Sequence, residues 1–142
     1  FEKFGAKKIT AIESNTRAFL KCLCVKEIFH LIKTEFKLGN FIPYLESCSR
    51  IDVLIASGVL YHMTEPLRLL DLLCNKSDNF FLWTHYYDWN IISTRQDSEL
   101  FDRSMEMEGK YTACRRLYPE SALSWKGFSG GSESYAIWLE RE

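Results

Sequence analysis

The sequence lacks any hydrophobic run close to the roughly 18 residues that a membrane-spanning helix needs, and no signal-peptide pattern opens it. We therefore expect a cytoplasmic protein with no membrane partner. With a net charge of −1 there is no basic excess either, which argues against nucleic acid as a partner, although a local groove could still bind RNA. The chain also contains no internal repeat and no low-complexity tract.

The sequence also lacks cysteine pairs with the C-x-x-C spacing of zinc sites. The five cysteines are an odd number at irregular spacing. Cys22 and Cys24 are separated by one residue instead of two, and no second pair completes a zinc site. We expect buried, reduced thiols and no metal site.

What the sequence does contain is an alternation of short strands and helices. Helices are predicted from an N-cap at 14–16 to about residue 31, over 41–48, and from Pro66, which suits a first helical turn. Strands are predicted at 8–13, 34–38, 51–57 and 79–84. This alternation predicts an α/β, Rossmann-like fold with a doubly wound, mostly parallel sheet.

The most informative segment is 51–63. Its apolar first half predicts a strand that is buried on both faces, as in the centre of a parallel sheet. Ser57 and Gly58 follow, where the missing Cβ lets a ligand approach the backbone. Tyr61 and His62 then lie just past the carboxyl end of the strand, which is where open α/β sheets bind their ligands.

This run resembles the fourth-strand region of class I S-adenosylmethionine-dependent methyltransferases: a strand, Ser-Gly-Val-Leu-Tyr-His-Met over 57–63, then Pro66 and a helix. The resemblance extends over residues 1 to about 90. An acid, Glu13, ends one strand, and Gly39-Asn40 follows the next. The resemblance implies a seven-stranded sheet with helices on both faces, S-adenosylmethionine as the cofactor, and methyl transfer as the activity.

The resemblance also implies roles for individual residues on the cofactor side. Glu13, with Ser14 beside it, would accept hydrogen bonds from the ribose hydroxyls, since a carboxylate offers two oxygens to two neighbouring donors. Asn40 stands where the family commonly has an acid that contacts the adenine amino group, and Phe41 would cover the ring. Further contacts would come from Ser57, Gly58 and Tyr61 near the methionine end.

On the acceptor side, His62 is either a general base or a residue that lines the pocket, and His85 and Tyr86 would face the acceptor. By family habit the acceptor is a small molecule or a sugar. The run 83–88 and the glycines at 127–131 resemble a bacterial subgroup of the family. Arg115, Arg116 and the Gly130-Gly131 turn could bind an anionic group, or the arginines could lie on a solvated strand edge.

One departure from the family pattern is serious: no G-x-G segment stands before the first predicted strand. We therefore expect a fragment, with cofactor-binding core over 1–84, a substrate-binding or lid insertion over 85–134 that includes a hairpin strand at 110–118, and the start of a helix over 135–142. No oligomeric state follows from the sequence.

Two other functions remain open. The chain could be a catalytically inactive methyltransferase-like domain that acts as a binding or regulatory partner, an alternative that Asn40 favours slightly. It could also be a nicotinamide-dependent dehydrogenase, because an acid after the second strand serves that cofactor too. The run from Ser57 to His62 speaks against the dehydrogenase.

Overall fold

A computed structural model describes residues 1–102, 106–108, 111–123 and 133–140 of the chain. The chain divides into two compact units, Phe1–Cys48 and Ser49–Glu142. None of the helices in the described ranges has the length and apolar character that crossing a bilayer demands.

The first unit is one parallel strand pair with two helices. It contains β1 (Ile9–Glu13), α1 (Thr16–Ile28), β2 (Thr34–Leu38) and α2 (Phe41–Ser47). The strands pair in parallel from Ile9 opposite Thr34 to Glu13 opposite Leu38. The predicted strands and helices are therefore confirmed, although α1 ends three residues before residue 31. Contrary to the amphipathic pattern, no residue of α1 is buried in the described structure.

The second unit begins with another parallel pair. α3 (Pro66–Lys76) connects β3 (Leu54–Ser57) to β4 (Phe80–Trp83), and Pro66 occupies its first turn as predicted. β3 is shorter than expected, and its predicted burial on both faces is wrong. Ala56 is buried, but the side chain of Ile55 on the opposite face is 45% exposed. The reason is that only one face of this strand pair is packed within its unit.

The rest of the second unit is largely antiparallel. α4 (Trp89–Ile92) leads to a described sheet of order β5 (Glu106–Glu108), β6 (Tyr111–Leu117) and β7 (Tyr135–Leu139), with α5 (Glu120–Leu123) between the last two strands. The predicted hairpin strand is confirmed as β6. The helix predicted from residue 135 is wrong, because β7 pairs antiparallel with β6 and buries three successive side chains, Ala136, Ile137 and Trp138.

Aromatic side chains from the region after β4 form the core of the second unit. Its buried members are Tyr87, Ile92, Phe101, Cys114, Tyr118, Ala122, Ala136 and Trp138. β7 is also tied to the segment after β3, since the Ile137 N–H donates to the Met63 carbonyl at 2.8 Å. This bond holds the 3₁₀ turn Leu60–His62 against the antiparallel sheet.

The cysteines form no disulfide, and only Cys114 is buried among them. The expectation of buried thiols is wrong for Cys24 and Cys74, which are exposed, while Cys22 and Cys48 are half-buried.

Candidate functional site

In the first unit, Glu13 lies at the carboxyl end of β1, as predicted. Its Oε1 accepts a hydrogen bond from the Asn15 N–H at 2.8 Å. The Gly39 N–H donates to the Glu13 carbonyl at 3.0 Å, so the ends of β1 and β2 lie side by side. Ser14, the next residue, is exposed. The carboxylate of Glu13 thus keeps its second oxygen for a ligand at this strand end.

Asn40 is the N-cap of α2. Its Oδ1 accepts from the Ile42 N–H at 2.9 Å, which satisfies one of the orphan donors at the helix start. That oxygen accepts one hydrogen bond at the helix start, so its second lone pair and the side-chain amide N–H groups are what Asn40 offers to a ligand. Phe41, the first residue of α2, is half-buried.

In the second unit, Gly58 turns the chain sharply after β3. Its φ of +73° lies in the left-handed region, and its N–H donates to the Trp83 carbonyl at 2.9 Å. A side chain at this position would be strained by the backbone conformation, so glycine is required here. Ser57, beside it, is exposed. This strand end is therefore exposed at Ser57, whereas side chains of Trp83 and Tyr61 lie beside Gly58.

The segments after β3 and β4 meet in a cluster of aromatic rings. The rings of Tyr61 and His85 lie 4.5 Å apart between centroids and are tilted by 66°. His85 in turn stacks on Trp138, with centroids 5.4 Å apart and planes within 9°. Trp83 contacts both Tyr61 and His85 edge-on. The structure thus brings together Tyr61 and His85, which were predicted to face the cofactor and the acceptor respectively.

His62 has one close polar partner, Tyr118. The His62 Nδ1 and the Tyr118 hydroxyl oxygen are 2.8 Å apart. Burial, together with the positive charge of Arg116 and the neighbouring His85, lowers the pKa of His62 to about 4. The imidazole is therefore neutral near pH 7, and it is a weaker base than an ordinary histidine. Burial also raises the pKa of the Tyr118 hydroxyl.

A cavity of about 280 Å³ opens beside this cluster. Its polar lining comes from Thr84, His85, Tyr86 and Glu140, with the ring of Tyr61 at one side. The remaining lining side chains are aliphatic: Leu60, Leu70, Leu82, Ile137 and Leu139. The surface that faces the cavity is almost entirely apolar, so these residues line it mainly with their carbon atoms. Within the described ranges, no cluster of His, Cys, Asp or Glu could hold a metal ion.

The two arginines that were candidates for anion binding have partners inside the second unit. The guanidinium of Arg116 lies 4.8 Å from the ring centroid of Tyr118 and 5.6 Å from that of Trp138, and it pairs with Asp97 at 3.3 Å. That of Arg115 lies 5.0 Å from the ring centroid of Tyr135. The glycines at 127–131, including the Gly130-Gly131 turn, lie outside the described residues.

Sequence reasoning missed Tyr118 and Trp138. The Trp138 Nε1–H donates to the Tyr61 carbonyl at 2.9 Å, so both residues hold the Tyr61-His62 step in place. Each is an aromatic residue with a polar group at its tip, and the two stand in neighbouring segments. That is the signal in the sequence, since such side chains pair their N–H or O–H when they are buried.

No protein-family model matches the chain, and no curated protein matches it. Two solved structures do. The N-terminal domain of EvdMO1 in the presence of SAH (S-adenosylhomocysteine) and D-fucose has a TM-score of 0.70 at 20% identity, over 94% of this chain and 51% of that one. The N-terminal domain of EvdMO1 with SAH bound has a TM-score of 0.65 at 20% identity, over 94% and 50%.

The chain therefore spans about half the length of the solved structures that it matches. At 20% identity the likeness concerns the fold. Parallel β–α units with glycine turns at their strand ends, on a backbone shared with an SAH-bound domain, identify the chain as having the α/β fold of that domain.

Proposed function

We propose that this chain belongs to an S-adenosylmethionine-dependent methyltransferase whose acceptor is a small molecule of the sugar type. The observation that carries the proposal is the fold match over 94% of the chain to a domain crystallised in the presence of SAH and D-fucose. SAH is what S-adenosylmethionine becomes when its methyl group has been transferred. We also propose the doubly wound sheet of that fold for the whole protein, with 85–134 on the acceptor side.

On the cofactor side, we assign the ribose to Glu13 and Ser14, and adenine to Asn40 and Phe41. The assignment of Glu13 is supported by the second carboxylate oxygen that its bond to Asn15 leaves over. The methionine end is assigned to the Ser57-Gly58 backbone and Tyr61, supported by the left-handed turn at Gly58 and the exposure of Ser57.

On the acceptor side, we assign His85 and Tyr86 to the acceptor, together with His62. The cavity that His85 and Tyr86 line supports this. The aromatic and aliphatic walls of this cavity suit the C–H face of a sugar.

Bound S-adenosylmethionine supplies an electrophilic methyl group on a positively charged sulfur. Methyl transfer to an oxygen is an in-line displacement, so the main task of the chain is to hold the acceptor oxygen in a near-attack geometry. Tyr86 would orient the acceptor hydroxyl, and the imidazole of His85 would take its one proton as the carbon–oxygen bond forms and the carbon–sulfur bond breaks. The apolar lining excludes water, which would otherwise compete for the same hydrogen bonds.

Calorimetric titration of S-adenosylhomocysteine into the full-length protein and into its Glu13→Gln variant tests the cofactor assignment. Glutamine keeps one oxygen for the Asn15 N–H but replaces the other oxygen and the charge with an amide NH₂. We expect the substitution to weaken binding about ten-fold or more, roughly 1.4 kcal/mol, because the ribose loses a charged acceptor.

Glu27→Gln is the matched control, since Glu27 is exposed on α1; it should bind like the unaltered protein. If the folded protein does not bind S-adenosylhomocysteine, the enzyme proposal fails and a catalytically inactive domain takes its place. If it binds but Glu13→Gln binds equally well, the ribose assignment alone fails.

A further inference from the structure

The contact between His62 and Tyr118 is the closest polar contact in the aromatic cluster. Tyr118 follows β6 directly and is only 6% exposed, and its hydroxyl lies 2.8 Å from the His62 Nδ1. Such a distance means that one proton is shared along this line, held either by the tyrosine oxygen or by the imidazole nitrogen. The atom that holds this proton determines whether the other ring nitrogen of His62, Nε2, is a hydrogen-bond donor or an acceptor.

The surroundings of the Tyr118 hydroxyl decide the direction of the bond. The only other acceptor near its proton in the described structure is the Tyr61 carbonyl, at 3.5 Å, and that carbonyl already accepts from the Trp138 Nε1–H at 2.9 Å. The guanidinium of Arg116 lies over the Tyr118 ring, 4.8 Å from its centroid, and offers no acceptor. Of the two acceptors within reach of the Tyr118 hydroxyl proton, the His62 Nδ1 at 2.8 Å is nearer than the Tyr61 carbonyl at 3.5 Å.

We propose that Tyr118 is a positioning residue that donates its proton to the His62 Nδ1 and so fixes His62 in the tautomer with its proton on Nε2. A ligand oxygen that reaches the other ring nitrogen meets an N–H donor and not a base. Resting on the proposed function, this makes His62 a hydrogen-bond donor in the site and leaves proton abstraction to the His85 and Tyr86 side.

The other groups around His62 agree with a fixed neutral ring. The charged and titratable neighbours are Arg116, His85, Tyr61 and Tyr118. No carboxylate lies among these neighbours in the described part of the chain, so none of them favours the imidazolium.

The test is an NMR experiment on protein labelled with ¹⁵N at histidine, recorded without any ligand. Long-range ¹H–¹⁵N spectra distinguish the two neutral tautomers, and the chain has only three histidines to assign. We expect His62 as the Nε2–H tautomer in the unaltered protein. In Tyr118→Phe we expect a mixture of tautomers and a rise in the pKa of His62 by about one unit, because the neutral ring loses its donor.

Tyr135→Phe is the matched control, because Tyr135 lies on β7 opposite Leu117, one residue before Tyr118. It should leave the tautomer and pKa of His62 unchanged. An Nδ1–H tautomer in the unaltered protein overturns the proposal even if Tyr118→Phe fails to fold, and so does an unchanged tautomer in folded Tyr118→Phe. Because this readout needs no cofactor, it is independent of the S-adenosylhomocysteine titration.

Discussion

At the scale of the residue, burial sets the chemistry of His62. Its pKa of about 4 lies well below the value of about 6.5 at which an unperturbed histidine titrates. Between about pH 6.5 and pH 4, His62 is therefore protonated in the unfolded chain but not in the folded protein. The stability that this difference contributes is fully present above about pH 6.5 and is lost as the pH falls through 4.

We expect His62→Gln to flatten this part of the pH profile, because glutamine does not titrate. Thermal unfolding midpoints measured between pH 4 and 7 should fall less steeply on acidification in His62→Gln than in the unaltered protein. His30→Asn serves as the control: His30 is exposed with a φ of +50°, a conformation that asparagine tolerates. An equally steep fall in both variants and the unaltered protein would show that His62 is not the group responsible.

The sequence could identify the residues at the strand ends but not the partners that define them. Glu13 and Gly58 were found because an acid or a glycine at the end of a buried strand is a local pattern. The bond from Tyr118 to His62 joins positions 56 residues apart, and no local pattern reports on such a distance.

At the scale of the element, three charged residues join the loop after α4 to β6. Arg95 holds Asp97 through two bonds of 2.7 and 2.9 Å, and Arg116 on β6 adds a third at 3.3 Å. The hydrogen bonds from these arginines lower the pKa of Asp97 to about 2. Since the folded pKa is lowered, this contribution to stability is present above about pH 3.8 and is lost as the pH falls through 2.

Asp97→Asn should therefore lower the free energy of unfolding by about 1 to 2 kcal/mol at pH 7, because Arg116 is mostly buried and would keep its charge without a counter-ion. Urea unfolding measures the loss. Asp78→Asn is the control, since Asp78 pairs with Arg50 on the surface; it should cost less than about 0.5 kcal/mol. Equal losses in the two variants would show that the Asp97 pairs are ordinary surface contacts.

Strands and helices were predicted correctly where the sequence pattern is local, and wrongly where a strand depends on a partner strand far away in the sequence. β1, β2 and the start of α3 follow from strand-to-turn and capping signals within a few residues. The segment 135–142 was predicted as the start of a helix. Residues 135–139 form a strand because their partner β6, and the core residues Tyr87 and Phe101, come from elsewhere in the chain.

At the scale of the whole molecule, buried side chains are distributed unevenly between the two units. The first unit buries only Thr34, Ile42 and Leu45, whereas the second contains the aromatic core around Trp138. A segment of fewer than about 50 residues with so few buried side chains does not offset the conformational entropy that folding costs.

We expect residues 49–142 to fold when produced alone and residues 1–48 to remain unfolded. Dispersed amide signals and cooperative urea unfolding of 49–142 would match this expectation, with Phe101→Ala in the same piece as a destabilised control that loses about 3 kcal/mol or more. A cooperatively folded 1–48 would contradict it, as would a disordered 49–142.

The hydrogen bond from the Ile137 amide to the Met63 carbonyl makes the Ile137 amide proton a reporter on the turn that carries Tyr61 and His62. Deuterium can replace that proton only when β7 separates from the turn that carries Tyr61 and His62. The exchange rate at Ile137 therefore records how often the turn opens. We expect a compound of any chemical class that binds among the rings to slow this exchange. Exchange at this one amide of β7 can therefore detect acceptor binding before any methylated product is sought.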